Sequence, residues 1–253
     1  MEKAFFSSKE SNMITGLFNA VAIIYDVPTV QLTENALSVR TMDPSRVCMV
    51  DLKIQRAFFD EWIPSDLRFC LDLTYLLKLL KRARKDDLVK FEINPKDEKL
   101  YLGMSNEKTC RSFTLSLLEP EDEDPPTPNI EFTAKFLMPV RDLQQLIDDA
   151  FLASDHIRFE VENDLIKASS KGDLTSMEAH LPKESDAILD LKVTKPCKAI
   201  YTLSYLQDIV KACSKVSDLV TIELGEDLPM KISFSTYFEG KLDYYLAPRI
   251  EVE

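Results

Sequence analysis

Lys78, Lys81, Arg82 and Lys85 stand at i, i+3, i+4 and i+7 within the stretch Leu73–Lys85. On a helix this spacing lines four cations along one face. A fixed row of cations can bind phosphates without any cofactor and without reading bases. Leu73, Leu76, Leu77 and Leu80 repeat the same spacing. The stretch is therefore predicted to be an amphipathic helix of about three turns, its leucines in a core and its cations outside, the stripes about 140° apart. A merely solvated basic face has the same pattern, and the residues alone leave both readings open. A second copy follows at an offset of 130, from Leu203 to Lys215: Tyr75-Leu76 matches Tyr205-Leu206, Lys81 matches Lys211 and Lys85 matches Lys215.

Other chemistry is thinly represented. His156 and His180 are the two histidines and fall in different predicted elements, and no Cys or His pair has zinc spacing. The five glycines are isolated, so no phosphate-binding loop or dinucleotide fingerprint is present. Asp86-Asp87, Asp148-Asp149 and Glu226-Asp227 are adjacent acids, whose side chains diverge on a helix or turn. They are expected to be solvated charge rather than a catalytic dyad. No enzyme, metal or cofactor is predicted. The five cysteines are odd in number and scattered, which suits reduced, mostly buried thiols in the cytosol. No apolar run reaches the roughly 18 residues of a membrane span, and the N-terminus lacks the apolar stretch of a secretory signal.

The net charge of −12 is unevenly spread. Residues 1–117 carry 17 Lys+Arg against 16 Asp+Glu, and residues 118–253 carry 14 against 27. An acidic chain of this kind repels nucleic acid unless its cations are gathered on one surface.

These side chains must be positioned by a strand-rich frame. A helix is predicted over about Lys9–Ala22, capped by Ser7 or Ser8. Val27–Leu32 and Leu37–Thr41 form a hairpin, followed by strands at Val47–Ile54, Leu88–Ile93, Lys99–Met104 and Cys110–Leu117. Residues 119–128 hold five acids and four prolines, the composition of an extended linker. Beyond it come a strand at Ile130–Leu137, a helix from Pro139 to about Leu152 and a hairpin of Ile157–Val161 with Leu165–Ser169. Strands at Leu174–Leu181 and Ala187–Val193 precede the helix Ser204–Val216. Val220–Leu224, Met230–Thr236 and Lys241–Leu246 close the series. Three matches near one offset indicate a duplicated unit. The predicted class is α+β, with an N-terminal domain at 1–118, a connector at 119–129 and a C-terminal domain at 130–253.

Residues 32–52, LTENALSVRTMDPSRVCMVDL, resemble the N-terminal signature of the proliferating cell nuclear antigen family, the DNA polymerase sliding clamps of archaea and eukaryotes. Residues 242–251, LDYYLAPRIE, resemble its C-terminal signature. The resemblance spans the chain and looks archaeal. It implies two similar clamp domains, each with two helices on antiparallel sheet, and three chains closing a ring of six domains around duplex DNA. Lys78, Lys81, Arg82, Lys85, Lys211 and Lys215 would then face the DNA. Subunits would join by edge strands, through Cys110, Phe113, Leu115 and Leu117 on one and Leu174, Met177, Ala179 and Leu181 on the next.

Polymerase, flap endonuclease, DNA ligase and clamp loader would insert a Gln-x-x-aliphatic-x-x-aromatic-aromatic peptide into an apolar pocket. The pocket is carried over onto Met42, Arg46, Val47, Met49, Ile130, Pro229, Leu246, Ala247, Pro248 and Ile250. The family's first and third helices often carry cations, whereas here the third carries Asp148 and Asp149. A homotrimer is the expectation, with one subunit of a heterotrimer and a non-encircling protein scaffold as alternatives. The implied location is cytoplasmic and nucleoid-associated in an archaeon, nuclear in a eukaryote.

Overall fold

The computed structural model describes residues 3–63, 65–120, 124–236 and 240–250. It separates into two compact units. One comprises Met1–Pro44, Val50–Pro126 and Thr236–Leu242; the other comprises Ser45–Met49, Thr127–Ser235 and Asp243–Glu253.

The first half of the chain runs β1 (Ala4–Ser8), α1 (Ser11–Ala22), β2 (Thr29–Leu32), β3 (Ala36–Met42), β4 (Cys48–Gln55), β5 (Glu61–Ile63), β6 (Leu67–Cys70), α2 (Leu73–Leu80), β7 (Leu88–Asn94), β8 (Lys99–Ser105) and β9 (Cys110–Ser116). The second half repeats it as β10 (Ala134–Pro139), α3 (Val140–Phe151), β11 (His156–Glu162), β12 (Leu165–Lys171), β13 (Ser176–Pro182), β14 (Asp190–Val193), β15 (Cys197–Thr202), α4 (Leu203–Cys213), β16 (Leu219–Leu224), β17 (Met230–Phe234) and β18 (Gly240–Leu246).

Strand order proves the duplication. The run β5-β1-β7-β8-β9 has the counterpart β14-β10-β16-β17-β18, and β6-β2-β3-β4 has the counterpart β15-β11-β12-β13. Register is kept as well: Ala4 faces Ile93 in the first unit, and Ala134 faces Leu224 in the second. In each unit the two helices pack together, α1 on α2 and α3 on α4. Below α1 and α2 the core holds Phe6 stacked on Phe91 at 4.6 Å, with Leu17, Leu73 and Leu76 fully buried. Below α3 and α4 it holds Phe136, Phe159, Tyr201 and Tyr244.

Several predicted bounds change. The basic helix is eight residues long rather than three turns. Asp72 caps it by accepting the Tyr75 N–H at 3.2 Å, and all four predicted leucines are buried. After Leu80 the backbone tightens, with Arg82 N–H bonding to Leu79 O and Ala83 N–H to Leu80 O. A second turn is then pinned by Asp87, which accepts from the Arg84 N–H at 2.8 Å. Asp87 itself corrects an expectation: it is fully buried, accepting from Asn106 Nδ2 at 2.6 Å and from the Arg111 guanidinium. Three donors replace the water that an exposed acid would keep.

The strand predicted from Ile130 begins at Ala134, and the one predicted from Leu174 begins at Ser176. In the first case Thr133 N–H bonds to Leu224 O just ahead of the ladder. In the second, Leu174 occupies the β12–β13 turn, where Gly172 is required: a Cβ there would stand 2.0 Å from Ala153 O. The first helix starts at Ser11, not Lys9, because Ser8 Oγ accepts the Glu10 N–H and turns the chain beforehand. Within the acidic linker, Glu121, Asp122 and Glu123 lie outside the described residues. Its Asp124 is paired with Arg68 at 2.8 Å. Four cysteines are buried and free, as expected, while Cys110 is exposed. Among the described residues no helix is long and apolar enough to cross a membrane.

Candidate functional site

The predicted DNA-facing cations form two sets. In the first unit, Lys78 is the one that α2 carries on its outer face; Lys81 and Arg82 occupy the turn that ends the helix, and Lys85 lies beyond it. All four are exposed. The turn keeps them grouped because Arg111 of β9 donates to Arg82 O at 2.9 Å while gripping Asp87. A helical row is thus replaced by a helix end, where cations also meet the negative pole of the dipole. Lys78 Nζ lies 5.0 Å from the Tyr75 ring centre, a cation–π contact one turn back.

In the second unit, Lys211 is exposed on α4 and Lys215 follows its end. The neighbouring helix surface is mixed in sign: Arg141, Asp148, Asp149 and Asp208 are all exposed. Asp148 accepts from Gln207 Nε2 at 3.0 Å, which ties α3 to α4.

Six of the eight predicted subunit-contact residues lie on two strands that each end a sheet run, β9 in the first unit and β13 in the second, while Leu117 follows β9 and Leu174 precedes β13. Along β9 Cys110 is exposed, Phe113 half-buried and Leu115 buried; Leu117 follows the strand. Between α2 and β9 opens a groove of about 530 Å³, lined by Tyr75, Lys78, Leu79, Leu115 and Leu118. Along β13 Met177, Ala179 and Leu181 alternate with exposed Glu178 and His180. Beside it the α3 end and the β12–β13 turn present Phe151, Leu152 and Leu174, exposed by 42%, 82% and 98%. Sequence reasoning missed Phe151 and Leu152, because their apolar character read as the last turn of a packed helix.

The predicted peptide-pocket residues separate by burial. Met49 and Leu246 are core, and Leu246 faces Met230 in the β17–β18 ladder. Arg46 is exposed with φ of 57°, Val47, Pro229, Ala247 and Pro248 are half-buried, and Ile250 is exposed. In the second unit Val47 O accepts the Ala247 N–H at 2.8 Å, which brings the two signatures together there. Met42, at the end of β3, is half-buried in the first unit, and Ile130 is half-buried ahead of β10.

Two latches hold this surface. The 225–229 loop is fixed to β15 by Glu226 Oε2 accepting the Lys198 N–H at 2.9 Å and by Tyr201 Oη donating to Leu228 O at 2.7 Å. Burial pushes the Tyr201 phenol far up, so it stays a donor. The C-terminal tail is fixed by Arg249, whose N–H bonds to Ile200 O at 2.7 Å and whose guanidinium meets Asp155 at 3.2 Å. Hydrogen bonding from His156, then the Arg249 charge, holds the Asp155 carboxyl below its ordinary value. Ser154 Oγ and Asp155 Oδ1 both approach His156 Nδ1, at 2.9 and 2.8 Å, so one ring nitrogen serves both and no relay through the imidazole is formed. Among the described residues no cluster of three or more His, Cys, Asp or Glu could hold a metal ion.

Comparison with known proteins agrees with this architecture. The model of the proliferating cell nuclear antigen N-terminal domain matches residues 6–123, and that of its C-terminal domain matches 126–249. DNA polymerase sliding clamp 1 of Pyrobaculum aerophilum is 31% identical over 236 residues, 93% of this chain and 94% of that one. The DNA polymerase sliding clamp of Methanosarcina barkeri is 33% identical over 235 residues, covering 92% and 93%. A crystal structure of PCNA from Thermococcus kodakaraensis shares the fold, with a TM-score of 0.91 over 97% of this chain and all of that one, at 24% identity. With both domain models matched in order along a duplicated two-helix unit, the chain belongs to the proliferating cell nuclear antigen family.

Proposed function

We propose that this chain is a DNA polymerase sliding clamp that closes head to tail with two further copies around duplex DNA. The observation that carries the reading is the doubled clamp unit of a family whose relatives bear that name. The role is non-enzymatic: a processivity factor holds a polymerase on its template by topology. The domains are taken as 1–118 and 130–253, joined by 119–129.

Closure uses the open edges of β9 and β13. Unpaired ladder groups on seven-residue edges favour pairing with another chain. The groove beside β9 supplies apolar surface, and Phe151, Leu152 and Leu174 beside β13 supply its complement. The contact is heterologous and closes by rotation. Lys78, Lys81, Arg82, Lys85, Lys211 and Lys215 contact phosphate without reading sequence, which permits sliding. In the second unit the surface of Arg46, Val47, Pro229, Ala247, Pro248 and Ile250 receives short motifs of polymerase, flap endonuclease, ligase and clamp loader; Met42, Met49, Leu246 and Ile130 are assigned to the same role by the resemblance alone. A hetero-oligomeric ring is the second reading, favoured by exposed Asp148, Asp149 and Asp208 on α3 and α4.

The test is primer extension by an archaeal replicative polymerase with its clamp loader on a long primed circle, under excess trap DNA. The chain should lengthen products made in one binding event. The K78E/K81E double variant should lose that gain while keeping its native circular dichroism spectrum and solution mass. Unchanged product length with the double variant would favour a scaffold that does not encircle DNA.

A further inference from the structure

The second unit contains a cleft of about 690 Å³ beside the C-terminal tail, and three cations line it. Residues 118–253 carry 14 cations against 27 acids, yet Arg158, Lys198 and Arg249 line this cleft; among the described lining residues Asp227 is the one carboxylate, and Glu226 lies next to it, accepting the Lys198 N–H. Arg158 also lies 3.9 Å from Glu160, and Arg249 lies 3.2 Å from Asp155, both carboxylates partly exposed at the margin. Ile200, Pro248 and Ile250, the last 83% exposed, supply the apolar part of the lining. Pro248 and Ile250 belong equally to the proposed peptide surface, so the cleft continues that surface.

We propose that this cleft is a specificity subsite for an acidic segment flanking the partner peptide's apolar motif, an inference that rests on the peptide-pocket reading above. Carboxylates of the flank meet Arg158, Lys198 and Arg249, and an aliphatic side chain covers Ile200 and Ile250. A phosphate backbone would satisfy the cations and leave that apolar lining exposed to water, whereas a peptide matches both. The volume is that of a pocket for a few side chains rather than a groove tracking a duplex. Partners with basic flanks are rejected by the same three charges, so the subsite ranks partners that share one motif.

Fluorescence anisotropy on the full chain tests this with a labelled Gln-x-x-Leu-x-x-Phe-Phe peptide. It is compared with versions extended by Asp/Glu, Ser/Gly or Lys residues at either end. At about 50 mM salt one acid-extended peptide should bind roughly three- to twenty-fold tighter than its Ser/Gly counterpart, and the advantage should fade with added salt. Lys198→Glu should abolish that advantage, read as the ratio of acid-extended to Ser/Gly-extended affinity within the variant, so that a loss shared by all peptides through the Glu226 contact cancels. Equal binding of acidic, neutral and basic extensions overturns the subsite while the pocket stands. Failure of the unextended peptide to bind sinks the pocket reading, and the subsite with it. Equal loss for all peptides in K198E makes Lys198 a structural residue. Weakened duplex oligonucleotide binding in K198E, with the flank advantage intact, assigns the cations to phosphate instead.

Discussion

Asp87 decides how the cations after α2 are arranged, although its position in sequence marks it as one of two adjacent surface acids. Its oxygens collect the Arg84 N–H, the Asn106 amide and the Arg111 guanidinium in a site with no exposed surface of its own. Arg111 also holds Arg82 O, so one carboxylate links the helix end, the β8–β9 turn and the edge strand β9. Asp87→Ala leaves a half-buried guanidinium and two polar donors without their acceptor. Removing one partner of such a cluster costs about 2–4 kcal/mol, less than a fully buried pair because Arg111 keeps some solvent. Thermal unfolding should show a Tm lowered by roughly 5–10 °C. DNA affinity should fall with it, since Lys81 and Arg82 lose their fixed turn. A variant with unchanged Tm would mean the cluster adds nothing beyond what water supplies.

At the level of elements, the helices were readable from leucine spacing because buried leucines are what make a helix in a protein. The cation spacing was a poorer guide: Lys81, Arg82 and Lys85 continue the period after α2 has ended, since charge on an outer face is not constrained by packing. β5, β6 and β15 were not recognised: β5 has three residues and β6 four, while β15 runs directly into a helix, with Thr202 both closing the strand and standing at the N-cap of α4. The proposed peptide surface was legible only through the resemblance. Its residues come from distant stretches and are positioned by latches, such as Tyr201 to Leu228 O, that no local pattern announces. Tyr201→Phe keeps the packing and strands that carbonyl. The expected loss is about 1 kcal/mol, read as roughly five-fold faster amide exchange across residues 225–229. Peptide affinity should drop with little change in global unfolding. Exchange that is no faster would show the loop held by Glu226 and by the Asp227 N–H on Lys198 O at 3.0 Å.

For the whole molecule, the governing fact is that β9 and β13 each end a sheet run and have apolar surface beside them. The repeat supplies an internal precedent. The counterparts of β9 and β13 are β18 and β4, and within the first unit these are joined by Lys241 Nζ to Asp51 at 2.8 Å. The open edges can satisfy the same preference only with another chain. Covering Phe151, Leu152 and Leu174 would add roughly 1.5–3 kcal/mol for each side chain fully buried, before the entropy of association is set against it. Light scattering on the purified chain at several concentrations should therefore give a mass near three times 28.9 kDa. Leu152→Glu puts a charge into the proposed contact while the residue, 82% exposed, has little to lose within its own unit. It should shift the mass toward a single chain without lowering the stability of the monomer. A wild-type chain that stays at 28.9 kDa would sink self-closure and leave the acidic faces of α3 and α4 as the signature of a subunit that requires different partners.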